Sequence, residues 1–216
     1  MKKLILLVVS ILTLQQVNAQ SFQAGSLVTS LDWGFDLYSV AQTYSLYNVP
    51  NSTSTKTSGA ASTNWNLAGE FGVLNWLGLG VQLKLDNYVT SRDSTTGIKP
   101  TAIGFEGGII ANLHIIRHPH FNLLGGIDLG YSHLTYNTND GFSDQVYGDG
   151  SWFDFHLTMR FYFGRFGLNF TGYSPVINYA SLTSNNSNWS LGENVLASWK
   201  GKGGGINLGM QYRILN

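Results

Sequence analysis

The sequence predicts an all-β chain: an eight-stranded antiparallel up-and-down transmembrane β-barrel spanning residues 20–216, after a cleaved signal peptide at 1–19. Three observations predict it. Apolar residues recur at every second position in eight separate segments, which is the period of a strand and not of a helix. In all eight, the apolar phase carries no Asp, Glu, Lys or Arg. The composition is 43% hydrophobic and only 11% charged, with 26 Gly and a mean hydropathy of −0.01, whereas a soluble domain carries roughly 25% charged residues.

The same figures exclude several classes. The chain has no Cys, so it builds no disulfide scaffold, cysteine-zinc centre or thiol redox site. Its 12 basic residues balance 12 acidic ones, unlike the basic excess of a nucleic-acid binder. No apolar run after the N-terminus is long enough for a membrane helix.

The elements follow in order. Lys2 and Lys3 precede an apolar stretch from Leu4 to Leu14, and Val17-Asn18-Ala19 supplies small residues at a cleavage site; this is a secretory signal peptide. The first strand alternates Leu27, Thr29, Leu31, Trp33, Phe35 and Leu37 against Ser30, Asp32, Gly34 and Asp36. The second sets Trp65, Leu67, Phe71 and Val73 against Asn64, Asn66 and Glu70, and the third Leu77 to Leu85 against Gln82, Lys84 and Asp86. The fourth opposes Ile103, Phe105, Ile109 and Leu113 to Glu106 and Asn112; the fifth opposes Phe121, Leu123, Ile127, Leu129 and Tyr131 to Asn122 and Asp128. The sixth runs from Phe153 to Phe163 against Asp154, His156, Thr158 and Arg160, and the seventh places Phe166, Leu168 and Phe170 opposite Asn169 and Thr171. The eighth sets Ile206, Leu208, Met210, Tyr212 and Ile214 against Asn207, Gly209, Gln211 and Arg213. Short turns at 74–76, 115–120 and 164–165 alternate with polar loops expected at about 49–62, 89–100, 137–150 and 180–202. Consecutive strands joined this way form an antiparallel meander, and eight can close and remove the sheet edges.

Alternation does not by itself decide which face is inside. A soluble lipocalin-like barrel holding an apolar ligand would turn the apolar face inward. Its outer surface would then carry the polar phase, which is rich in Gly and poor in charge, whereas a soluble surface carries many charges of both signs. Small Gly suits a narrow lumen, and large aromatics suit lipid. The apolar face is therefore expected to point out. Trp33, Trp65, Trp76, Tyr131, Trp152, Phe153, Phe163, Phe166 and Tyr212 fall near strand ends, where aromatic girdles sit.

On these residues the chain resembles the small eight-stranded outer-membrane barrels of Gram-negative bacteria, the OmpA-like and OmpX-like group. The match covers the whole of 20–216 in architecture. Asn207, Gly209, Tyr212 and Ile214 fall on the spacing of the C-terminal strand signal that such barrels present to the assembly machinery, with Ile214 where Phe or Trp is usual. The resemblance implies a cell-envelope protein of the bacterial outer membrane, porin-like in build but without a wide pore. It implies periplasmic termini, a monomer in contact with lipid and lipopolysaccharide, and an extracellular partner met through the long loops. A structural or adhesive role is expected, with no enzymatic activity, no cofactor and no nucleic acid.

Buried charges need partners. Glu70, Glu106 and Asp128 are expected to gather around Lys84, Arg160 and Arg213, with Asp154 and His156 in the same lumenal network, filling the interior structurally. His114, His118 and His120 surround one short turn without a neighbouring carboxylate, which reads as a polar periplasmic turn and not as a metal site. His133 lies at the outer end of the fifth strand; an outer-membrane lipid A deacylase or acyltransferase would place a His near that level, but no serine motif accompanies it. Tyr44, Tyr47, Phe142, Tyr147, Trp189 and Trp199 are aromatics expected in the loops, and Lys200 and Lys202 could meet lipopolysaccharide phosphates.

Overall fold

The computed structural model describes residues 22–46, 48–90, 97, 99–137, 145–185 and 194–215. The signal peptide lies outside the described residues, as do Tyr47, Phe142 and Trp189. The strands are β1 (Leu27–Leu46), β2 (Thr53–Leu74), β3 (Leu77–Tyr88), β4 (Thr101–His118), β5 (Phe121–Asn137), β6 (Gln145–Phe163), β7 (Phe166–Tyr179), the two-residue β8 (Thr183–Ser184) and β9 (Asn194–Leu215). Each long strand pairs antiparallel with the next, and β1 pairs with both β2 and β9, so the sheet closes as a ring of eight with β8 appended to β6. Closure pairs the backbone of every long strand on both sides, the condition for crossing lipid with strands.

The apolar phase points out. Leu31, Leu67, Val81, Ile109, Leu129, Leu157, Leu168 and Leu208 all lie exposed on the exterior, while Asp32, Asp36, Glu70, Lys84, Asp86 and Glu106 are buried in the lumen. A soluble barrel is thereby excluded, since these exterior side chains would have nothing to bury against in water.

Two details correct the sequence reading. Three strands run well past the expected loop boundaries: β2 begins at Thr53, β6 at Gln145 and β9 at Asn194. Beyond the bilayer neither face has to be apolar, so the ladder continues where the alternation has faded. Trp152 does not join the girdle; it is 2% exposed and points inward, because it shares the phase of Asp154 and His156.

Three turns and both ends of the ring mark one rim: Asn75-Trp76, Pro119-His120 and Gly164-Arg165, with Leu27 opposite Leu215. Gly164 takes φ 73, a left-handed conformation that favours glycine in a two-residue hairpin. Inside the wall, Gly108 of β4 faces Gly130 of β5. A Cβ on Gly130 would lie 2.2 Å from the Gly107 carbonyl oxygen and 2.6 Å from the Gly108 Cα. Gly130→Ala should therefore cost about 1–3 kcal/mol by overpacking, read as a lower urea midpoint for unfolding from vesicles; a midpoint equal to wild type would disprove the close approach.

Candidate functional site: a filled lumen beneath an outer cup

The inward side chains form layers. At the short-turn rim, Phe22 of the segment preceding β1 is fully buried, and its ring stacks on His114 with centroids 3.5 Å apart. Gly25 N–H donates to Gly72 O and Gly72 N–H to Ser26 O, each at 2.8 Å, which pins this segment to β2. His114 Nδ1 lies 2.7 Å from the Asn122 amide nitrogen and its Nε2 2.7 Å from Glu70 Oε1. The amide donates, so Nε2 carries the proton and donates to the carboxylate. Arg160 Nη1 donates to the other Glu70 oxygen at 2.6 Å.

The middle layer holds Asp32, to which Ser30 and Asn169 donate, and the group Asp128, Asp154 and His156. A cavity of about 50 Å³ lies among these side chains. Above it, Lys84 Nζ stands 3.3 Å from Asp36, 3.4 Å from Asp86 and 3.6 Å from Glu106. Ser62 bridges Asp36 and Asp86 at 3.1 and 3.0 Å. Asn64 donates to Asp36 and to Tyr173 Oη, which donates on to Asn207 at 3.1 Å. This chain of bonds ties β1, β2, β3, β7 and β9 across the lumen.

The next layer is apolar. Tyr38, Tyr88, Tyr179 and Trp199 pack with ring centroids 5.6–6.1 Å apart, joined by Leu134, Trp152 and Ile177. Over this floor opens a cavity of about 460 Å³, lined by Val40, Tyr88, Leu134, Val146, Leu196 and Trp199 below and by Gln42, Tyr44, Lys56, Ser58, Thr90 and Tyr136 toward its rim. That size suits a small-molecule site. The cup lies at the end of the long connections, opposite the short turns.

The residues expected at functional positions fall as follows. Glu70 meets Arg160 and Glu106 meets Lys84, while Asp128 and Asp154 lie beside His156. Arg213 sits at the short-turn rim, 5.0 Å from the Tyr162 ring centroid, donating to Gly164 O; it is separated from Asp128 because β9 ends there. His118 and His120 stay together at their turn with centroids 6.0 Å apart, but His114 leaves them for the lumen and does have a carboxylate neighbour. On β9, Asn207 faces inward, Gly209 packs against the Asp32 carboxylate, and Tyr212 packs at a tilt against Phe166 outside, near the exposed Ile214. His133 Nδ1 is 2.7 Å from Asp149 Oδ1, and Tyr131 donates to the same carboxylate, all on the exterior above the apolar belt. Trp199, expected in a loop, is a buried strand residue of the floor.

The sequence reading missed the cup. Its signal was the phase itself: Tyr38, Val40 and Gln42 continue the inward register of Asp32 and Asp36, and Tyr88 continues that of Lys84 and Asp86.

No family model matches the sequence, and no curated protein does. Solved structures share the fold. The outer membrane protein OprG from Pseudomonas aeruginosa superposes with a TM-score of 0.58 at 11% identity, covering 89% of this chain and 97% of that one. The outer membrane protein AlkL, solved in lipid bilayers, gives 0.55 at 14% identity over 90% and 92%. The outer membrane protease OmpT from Escherichia coli gives 0.52 at 10% identity over 93% and 100%. The shared fold is a closed outer-membrane β-barrel.

Proposed function

We propose that this outer-membrane β-barrel is a binding protein and neither a pore nor an enzyme, and that it holds a small amphipathic molecule in its outer cup. The observation that carries the reading is the inversion of lumen chemistry. Ion-paired layers fill the lower interior, and an aromatic floor then supports an open apolar cavity of about 460 Å³. Apolar burial supplies affinity, at about 25 cal/mol per Å², and Lys56, the one charged side chain in the described lining, favours a ligand with an acidic end. Exposed Lys200 and Lys202 on the exterior of β9 would face lipopolysaccharide phosphates. The chain closes its own ring, so the reading is a monomer, inserted by the barrel-assembly machinery.

The test uses purified barrel in detergent titrated with cis-parinaric acid, a fluorescent fatty acid. Saturable one-site binding is expected, at least tenfold weaker in Leu134→Trp, which fills the cup; tenfold corresponds to about 1.4 kcal/mol. The same preparation should give no stepwise conductance in planar bilayers. Binding unaffected by Leu134→Trp, or steady channel steps, would sink the proposal.

A further inference from the structure

We infer that Asp128, Asp154 and His156 form a binding site for one divalent transition-metal ion in the middle of the lumen, below the aromatic floor and independent of the cup. The three offer ligand atoms that all lie within 4.8 Å of one another. His156 Nδ1 stands 3.0 Å from Asp128 Oδ2 and 3.6 Å from Asp154 Oδ1. Ligand atoms about 2.0–2.2 Å from a tetrahedral zinc stand about 3.4 Å from one another, so these separations are the edges of such a site. The small cavity beside the three side chains leaves room for a water as fourth ligand.

Three further observations point to a cation. Neither His156 Nδ1 nor Asp154 Oδ1 has a hydrogen-bond partner despite their proximity, and Asp128 Oδ1 has none either. The two carboxylates are 5% and 4% exposed, and even a protonated His156 would balance only one of them, which leaves a costly buried charge. The lumenal cations are engaged elsewhere: Arg160 by Glu70, and Lys84 by Asp36, Asp86 and Glu106. Among the described residues, Asp128 and Asp154 have ion-pair geometry with His156 alone.

The imidazole is also held as a metal ligand is held. His156 Nε2 lies 2.8 Å from Asn112 Oδ1. An Nε2–H donated to that carbonyl orients the ring so that Nδ1 points at the carboxylates, where it would give up its proton on taking a metal ion, the outer-shell arrangement typical of metal-binding histidines. Two carboxylates and one imidazole suit zinc or manganese, and two negative ligands neutralise a divalent charge. The ion would join β5 to β6, with β4 as support through Asn112.

The experiment refolds the mature chain into detergent with Zn²⁺ present, removes free metal by dialysis against a chelator, and measures bound zinc by mass spectrometry. One zinc per chain is expected in the wild type, together with a higher thermal midpoint than the metal-free preparation. Co²⁺ should give the intense visible bands of a tetrahedral site. Asp154→Asn and His156→Gln should lower zinc affinity by roughly 100-fold, and Asn112→Leu by about 10–100-fold, with the heat-dependent gel shift confirming a folded barrel. Asp32→Asn, in the same layer but outside the site, should retain the ion. Absence of zinc from the wild type overturns the proposal without recourse to any variant. Full retention in Asp154→Asn, or loss on replacing His118 and His120 at the turn, overturns it as well.

Discussion

Lys84→Met is expected to destabilise the barrel by about 3–5 kcal/mol, the cost of removing one partner from a buried charge cluster. The side chain is 4% exposed, and among the described residues its ammonium is the only cation within 4 Å of Asp36, Asp86 and Glu106. Without it, three buried carboxylates would face one another with hydrogen bonds from Ser62 and Asn64 as their remaining support. Methionine keeps most of the volume and apolar length, so the loss reports charge and not packing. The measurement is equilibrium unfolding in urea from lipid vesicles. Lys200→Met, on the exposed exterior of β9, is the control and should stay within about 0.5 kcal/mol of wild type. Adding Glu106→Gln to Lys84→Met should recover part of the loss, because one repelling charge is gone. A Lys84→Met barrel within 1 kcal/mol of wild type would show that the cluster is hydrated or protonated and does not depend on the lysine.

What could be read from the sequence followed what lipid requires. Where the wall meets lipid, every outward residue must be apolar, so Leu31, Leu67, Val81 and Leu157 stand out against Asp32, Asn66, Gln82 and His156. Eight strands and their facing follow from that one constraint. Above the bilayer the constraint lapses, and Thr53 to Ala61 of β2 carries no usable alternation although it pairs fully with β1. The lumenal network was only partly legible. Phase places Glu70 and Arg160 on the same side of the wall, but which acids meet which bases depends on strand stagger, which no local pattern records. Asp128 therefore neighbours His156 and not an arginine. The cup was readable in principle from Tyr38, Val40 and Tyr88, yet an apolar residue at an inward position looks like a break in the pattern until the wall is known to continue.

Val81→Arg carries the second large effect, and its sign separates a lipid-facing wall from a solvent-facing one. Val81 lies midway along β3 on the exterior and is 64% exposed. On a water-facing surface such a change falls within about 0.5 kcal/mol. At the bilayer midplane the guanidinium must be carried into hydrocarbon, at a cost of about 2–4 kcal/mol that falls to about 0–1 near the interface. Trp76→Arg, at the short turn between β2 and β3, should therefore lose far less than Val81→Arg. Trp76 is exposed in the turn that leads into β3 and Val81 is exposed on β3 itself, so depth is the variable that differs most. Unfolding free energies measured in vesicles should rank Val81→Arg well below Trp76→Arg. Equal and small losses at both positions would place this face in water, and the apolar exterior would then need another protein, not lipid, to cover it.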